Sequence, residues 1–234
     1  YMMFSTSISS VFLPKVTGMV TTSNDKKMIS DLFIRTGRIQ FIVMSLILSG
    51  FIVFGKQFIL LWAGPDYEDA YIITLLFFVA LFIPLIQNLG ITILQARNQM
   101  KFRSLLYIGI AVLALIFQVV LAKKYEGIGC AFVVAGALLL GQGLIMNIYY
   151  QKRQGIDIVA FWKEIIRMSI IPVLITCLFS YIVSSFNMNS WFNWMLGVGM
   201  FSVIYIPLFY IFSMNRYEKE LSLAPIRKIF AHKV

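Results

Sequence analysis

Ten carboxylates are the first residues to weigh for chemistry, because paired acids can act as general acid and base or carry protons across a membrane. They are Asp25, Asp31, Asp66, Glu68, Asp69, Glu126, Asp157, Glu164, Glu218 and Glu220. All fall in the connections between apolar runs, so no proton relay at membrane depth is expected from this chain. The adjacent Glu68–Asp69 could serve a membrane glycosyltransferase, although a solvated loop is the ordinary explanation for such a pair. His232 is the only histidine, and Cys130 and Cys177 are the only cysteines. Neither a Ser-His-Asp nor a Cys-His set can be assembled from these residues. Two scattered cysteines make neither a disulfide framework nor a metal site. Enzyme chemistry is disfavoured, and no cofactor is expected.

Hydrogen bonding to a polar cargo has better candidates. Pro84, Asn88, Thr92 and Gln95 follow at steps of four, four and three, which is one face of a helix. Tyr107, Ala111, Ala114 and Gln118 repeat this pattern, and Gly136, Gly143, Asn147 and Tyr150 form a third such set. Amides in hydrocarbon need partners or water. Two readings are open. The amides bridge helices, as Gly127, Ala131 and Ala135 let backbones approach at small-xxx-small spacing, or some of them line a hydrated cavity. For one residue taken alone bridging is the better reading; for the set, a partly polar cavity is.

These side chains need elements to hold them, and composition names the solvent. Of 234 residues, 60% are hydrophobic and 13% charged, with a mean hydropathy of +0.85. Soluble domains are about 45–50% apolar and roughly 25% charged, so the bilayer is the solvent here. A helix crosses a ~30 Å hydrocarbon core with about 20 apolar residues. Six stretches qualify: Phe41–Leu61, Tyr71–Leu94, Leu105–Ala122, Ile128–Tyr149, Met168–Phe186 and Trp191–Ser213. Tyr1–Leu13 is apolar but too short, and reads as the end of a helix whose beginning lies upstream.

The net charge of +10 is explained by position. Lys15, Lys26, Lys27, Arg35 and Arg38 share the first connection, and Arg97, Lys101 and Arg103 the third. Lys152, Arg153, Lys163 and Arg167 share the fifth, and Arg216, Lys219, Arg227, Lys228 and Lys233 fill the tail. The intervening connections carry few basic residues, with Lys123 and Lys124 the exception. Cytoplasmic loops retain Lys and Arg, so the basic side is expected to be cytoplasmic and nucleic acid is not an expected partner. Trp62, Tyr67, Trp191 and Trp194 are expected at the outer interface, and Tyr149, Tyr150, Trp162 and Tyr217 at the inner one. Ile156–Arg167 suits either an interfacial helix or an extension of the following span.

Four strings carry a family resemblance. They are FLPKVT (Phe12–Thr17), where a helix ends in Pro before a long basic loop containing NDKKMISDLFIRTGR, and FILLWAGPDYEDA (Phe58–Ala70). The others are ILQARNQMKFRS (Ile93–Ser104) and YEGIGCAFV (Tyr125–Val133), the latter a Gly-x-Gly-x-Ala start to a helix. In this order over residues 1–150, the chain resembles the polysaccharide exporters and O-antigen (Wzx-type) flippases of the multidrug/oligosaccharidyl-lipid/polysaccharide superfamily. Residues 168–234 match only as two further spans. The resemblance implies an all-α, polytopic transmembrane bundle, the second lobe of a two-lobed transporter. That transporter would sit in the bacterial inner membrane with its C-terminus cytoplasmic. It would move a lipid-linked oligosaccharide of polyprenyl-pyrophosphate type to the outer leaflet by alternating access, for lipopolysaccharide or capsule synthesis, with membrane lipids and a missing N-terminal lobe as partners. The expected parts are residues 1–150 (partial lobe), 151–167 (interfacial segment), 168–213 (two spans) and 214–234 (basic tail). Substrate contacts would come from Asn88, Gln95, Gln118 and Asn147, with Lys15 and Arg97 meeting the pyrophosphate. For these two cations ordinary positive-inside charge is the alternative. A drug/cation antiporter of the same superfamily and a membrane glycosyltransferase or polymerase are the competing functions.

Overall fold

The computed structural model describes residues 1–22, 25–186, 188 and 190–222, and these are helical with no strand among them. The helices are α1 (Met2–Val11), α2 (Leu13–Thr22), α3 (Lys26–Trp62), α4 (Asp69–Ile86), α5 (Leu89–Ala96), α6 (Lys101–Leu138), α7 (Met146–Tyr149), α8 (Ile158–Ser184) and α9 (Trp191–Phe212). Wide π-helical turns cover Leu139–Ile145 and Tyr150–Gln154 on either side of α7.

Five stretches are long and apolar enough to cross a membrane: Lys26–Trp62, Pro65–Ile86, Lys101–Gln154, Ile158–Ser184 and Trp191–Phe212. The third doubles back. Glu126, at φ 47° and ψ −130°, breaks α6 into two limbs. The limbs then run antiparallel: Phe102 stacks on Tyr149 at 4.2 Å between centroids, and Arg97 Nη1 donates to the Gln154 carbonyl at 2.9 Å. The protein is thus a polytopic all-α membrane bundle, in which two of the six spans expected from hydropathy are limbs of the third apolar stretch.

α3 is the hub. Its 37 residues span about 55 Å at 1.5 Å per residue, far more than the ~30 Å hydrocarbon core. Sequence analysis assigns Lys26–Arg38 to a loop, and the structure corrects this. Asp25 caps the helix, its carboxylate accepting from the Lys27 N–H at 2.8 Å. Ile29, Phe33, Thr36, Gln40 and Met44 then form one buried stripe, with a helical period that a hydropathy window averages away. Pro14 is corrected too. It begins a helix rather than ending one, sitting in the first turn of α2 where a missing N–H costs nothing.

α4 and α5 are a single expected span broken at Gln87–Asn88, three residues after Pro84. The opening is filled from α1, whose Ser5 Oγ donates to the Leu85 carbonyl at 2.6 Å. α5 ends on Asn98 at φ 53°. The Gln99 N–H reaches the Leu94 carbonyl at 2.8 Å and the Asn98 N–H reaches Gln95 at 3.0 Å. Those two bonds form a Schellman motif, with Asn tolerated in the left-handed position. In α8, Pro172 deprives the Met168 carbonyl of its helical partner. Ser213 Oγ, at the end of α9, donates to that carbonyl instead at 3.3 Å.

Among the described residues, the first, third and fifth connections and the start of the tail meet at one end of the bundle. There the Asp157 N–H donates to Ser30 Oγ at 2.9 Å, Phe33 packs on Phe161 and Arg38 pairs with Glu164. At the opposite, aromatic end, Phe58 packs against Trp62, Trp191 and Trp194. The Trp194 indole N–H donates there to the Phe54 carbonyl at 3.2 Å. α8 runs unbroken from Ile158, so Ile158–Arg167 is the extension of a span.

Candidate functional site

The six residues nominated from sequence are spread over α2, α5, α6, α7 and the breaks on either side of α5. Asn147 is buried, with both ends of its amide committed. Its Oδ1 accepts from Gln87 Nε2 at 2.8 Å and from the Trp162 indole at 3.2 Å, while its Nδ2 donates to the Gly143 and Gln142 carbonyls. One amide therefore joins α4, α7 and α8, which is the bridging role. Asn88 is buried at the α4–α5 break, where its carbonyl accepts from the Ile91 N–H at 3.0 Å. Gln95 is exposed on α5. Gln118 is half-buried on the limb of α6 that precedes Glu126.

Lys15 is exposed on α2. Arg97 is half-buried, its Nη1 held by the carbonyl of Gln154 and by that side chain's Oε1 at 2.8 Å. Burial pulls its guanidinium below the ordinary arginine range. Two of the three sets of steps dissolve, because the break at 87–88 and the π turns shift the helical phase; the 107–118 set stays on a regular stretch of α6.

Hydroxyls assemble where the amides do not. A lateral groove of about 620 Å³ lies along the α3–α8 seam and is roofed by Phe82 of α4. That volume falls within the roughly 300–1,000 Å³ range of small-molecule sites. α3 contributes Phe41, Ser45, Leu48, Ser49 and Ile52, and α8 contributes Ser169, Pro172, Val173, Thr176, Cys177 and Ser180. The α3 set follows steps of one, three and four and the α8 set steps of one and three, so each is one helical face. The walls are mainly apolar, with hydroxyls spaced along both.

Those hydroxyls cost little when the groove is empty. Thr176 Oγ1 donates to the Pro172 carbonyl at 2.7 Å, Ser169 Oγ to Ile166 at 2.8 Å and Ser45 Oγ to Ile42 at 3.2 Å. A hydroxyl satisfied this way by its own helix keeps lone pairs to offer a ligand. A buried amide in the same place would stand unsatisfied. Ser45 also accepts from the Tyr205 hydroxyl at 3.1 Å, tying α9 to the back of the groove.

One turn beyond the groove, toward the basic end, Arg38 is 6% exposed and held on every nitrogen. Its Nε donates to Glu218 Oε1 at 2.6 Å and its Nη2 to Glu218 Oε2 at 3.1 Å; Nη1 donates to Glu164 and Nη2 also reaches the Ser213 carbonyl. Asn215 and Glu218 form a capping box. The Glu218 N–H donates to Asn215 Oδ1 at 2.9 Å, and the Asn215 N–H to Glu218 Oε2 at 2.9 Å. This box opens a helix over residues 216–222.

Sequence reasoning missed both features. The serine spacing on α3 and α8 and the Asn-x-x-Glu at 215–218 were visible signals. That Arg38 is buried was not, because it lies in a segment read as a solvated loop. No protein-family model matches the chain, and no curated protein or solved structure matches it.

Proposed function

We propose that this chain forms part of a transporter that moves a lipid-linked oligosaccharide between bilayer leaflets, with the α3–α8 groove receiving the sugar headgroup. The groove carries the argument. A polyhydroxylated headgroup attached to a lipid needs a passage open to the side, apolar enough to exist in a membrane and supplied with hydrogen-bonding groups. Ser45, Ser49, Ser169, Thr176 and Ser180 on apolar walls meet those needs together. The exposed Lys15 at the basic end, on the expected cytoplasmic side, suits the first encounter with pyrophosphate. Asn147, whose amide is committed at both ends, and Arg97, whose Nη1 is held by Gln154, are assigned to structure.

The test pairs transport with abundance. Ser49→Ala with Thr176→Val removes two hydroxyls and little volume. Each hydrogen bond is worth about 1 kcal/mol, so losing two should weaken headgroup binding roughly 10–30-fold. Surface polysaccharide in a cell that depends on this protein should drop steeply at near-normal protein abundance. Unchanged polysaccharide, or a parallel fall in both, rejects the groove. Orientation has its own readout. A thiol reagent applied outside intact cells should modify a cysteine placed at Asp66 and spare one placed at Lys27.

A further inference from the structure

We infer that the segment from Asn215 to Ser222 is a releasable latch, which holds α8 against α3 at the basic mouth of the groove through Glu218 and Arg38. The inference rests on reading that groove as the substrate passage. The geometry joins four parts through one guanidinium: Arg38 on α3, Glu164 on α8, the Ser213 carbonyl at the end of α9, and Glu218 on the tail. Arg38 lies three residues before Phe41, and Glu164 five before Ser169, both of which line the groove. A small polar cavity of about 190 Å³ abuts the cluster and is lined by Arg38, Glu164, Arg167, Met168 and Ser213 among others. Between them, Phe41 and Met168 are both buried.

The charge count makes the contact releasable. Breaking a simple buried ion pair strands a charge and is strongly unfavourable. Here one cation faces two carboxylates, so departure of Glu218 leaves a neutral Arg38–Glu164 pair. Glu164 is also partly open to water, its side chain 38% exposed against 2% for Glu218. Among the described residues, the tail is otherwise held by the Arg35 guanidinium, 5.9 Å from the Tyr217 ring centroid, and by Lys219, whose Nζ donates to the Ile211 carbonyl at 3.1 Å and lies 5.3 Å from the Tyr210 ring centroid. A static fastener would need only one carboxylate; the second, on a short helix with its own capping box, gives the seam a closed form and an opened form in which Arg38 and Glu164 still balance.

Cys177, exposed on the groove wall, is an internal reporter of how readily a water-borne reagent enters the groove. Labelling by N-ethylmaleimide of the protein in its native membrane is followed by mass spectrometry of the Cys177 peptide. Glu218→Gln keeps a residue accepted in a capping box and removes the charge that grips Arg38. It should label roughly tenfold faster at unchanged abundance, a one-decade shift in the opening equilibrium. Asn215→Ala, which undoes the cap and leaves the ion pair, should fall between Glu218→Gln and the parent. Equal labelling in all three overturns the latch. So does loss of folded Glu218→Gln protein without faster labelling of what remains, since that marks a static fastener. The readout needs no substrate. Faster labelling alongside normal transport in Ser49→Ala/Thr176→Val would leave the latch standing and remove the transport reading.

Discussion

The α3–α8–α9 core and the α6 hairpin are both apolar, yet they use apolarity in opposite ways. α3 buries Phe33, Phe41, Met44 and Phe54, and α8 and α9 meet it with Phe161, Met168, Phe201 and Tyr205. α6 belongs to the most apolar of the crossing stretches, but over its 38 residues only Ala114, Gly129, Ala131 and Ala135 are buried. Leu105, Val112, Leu113, Ile116 and Phe117 all stand exposed. In lipid there is no hydrophobic force between helices, because acyl chains are as apolar as leucine. The most hydrophobic region is therefore the periphery, while the core is where polar groups find one another. Packing on all sides holds the core, whereas the hairpin packs on α4 and leaves most of its large side chains exposed.

The sharpest way to break this contrast is to add volume. At Gly37 a Cβ would lie 2.8 Å from the Ile86 carbonyl and would overlap the Phe161 ring. Gly37→Leu should cost about 3 kcal/mol or more and leave little monodisperse protein on size-exclusion chromatography. Gly109 on the hairpin has nothing within 4 Å, and Gly109→Leu should elute like the parent.

Charge should reverse the ranking. Leu113 is 58% exposed midway along a limb, and Leu113→Asp there should cost about 2.5–3.5 kcal/mol of insertion free energy. A glycosylation-reporter insertion assay would register the loss, and near-complete insertion would mean that the limb faces water or protein.

Amides give a smaller effect. Asn147→Leu deletes the hub between Gln87 and Trp162 and should lower stability by about 1–2 kcal/mol, given ~0.6 kcal/mol for an average bond of this kind. Gln118→Leu should change nothing measurable in the same thermal melt, and equal effects would erase the distinction between core and hairpin. Smallest is a gain. Glu126 holds a positive φ that glycine adopts freely, so Glu126→Gly should stabilise the hairpin by up to ~1 kcal/mol, seen as a modest rise in melting temperature.

These regions also differ in how legible they were in sequence. The apolar passes and the gathering of basic connections at one end could be read directly, because run length and charge placement are one-dimensional properties. Lys26–Arg38 was misread: its lysines and arginines outweigh Ile29, Leu32 and Phe33 in a hydropathy average, although their spacing is helical. Two of the amide stripes, at 84–95 and 136–150, are broken for a geometric reason. A fixed step of three or four holds a face only while the helix is regular, and both the 87–88 break and the π turns interrupt it. Single hydroxyls carry little weight in an apolar run, so the groove emerges only when α3 and α8 lie side by side. Arg38 depends on a partner 180 residues away, which no local pattern announces.

The bond from Ser213 to the Met168 carbonyl also has a consequence during synthesis. Its partners are 45 residues apart, and chains grow at about 5–20 residues per second, so the acceptor waits roughly 2–9 s for its donor. In that interval α8 carries an open carbonyl that lipid cannot serve. Membrane insertion machinery that released α8 alone would release it incomplete. The two helices are best delivered as a pair, with the proline of the first serving as a timer that the last turn of the second switches off.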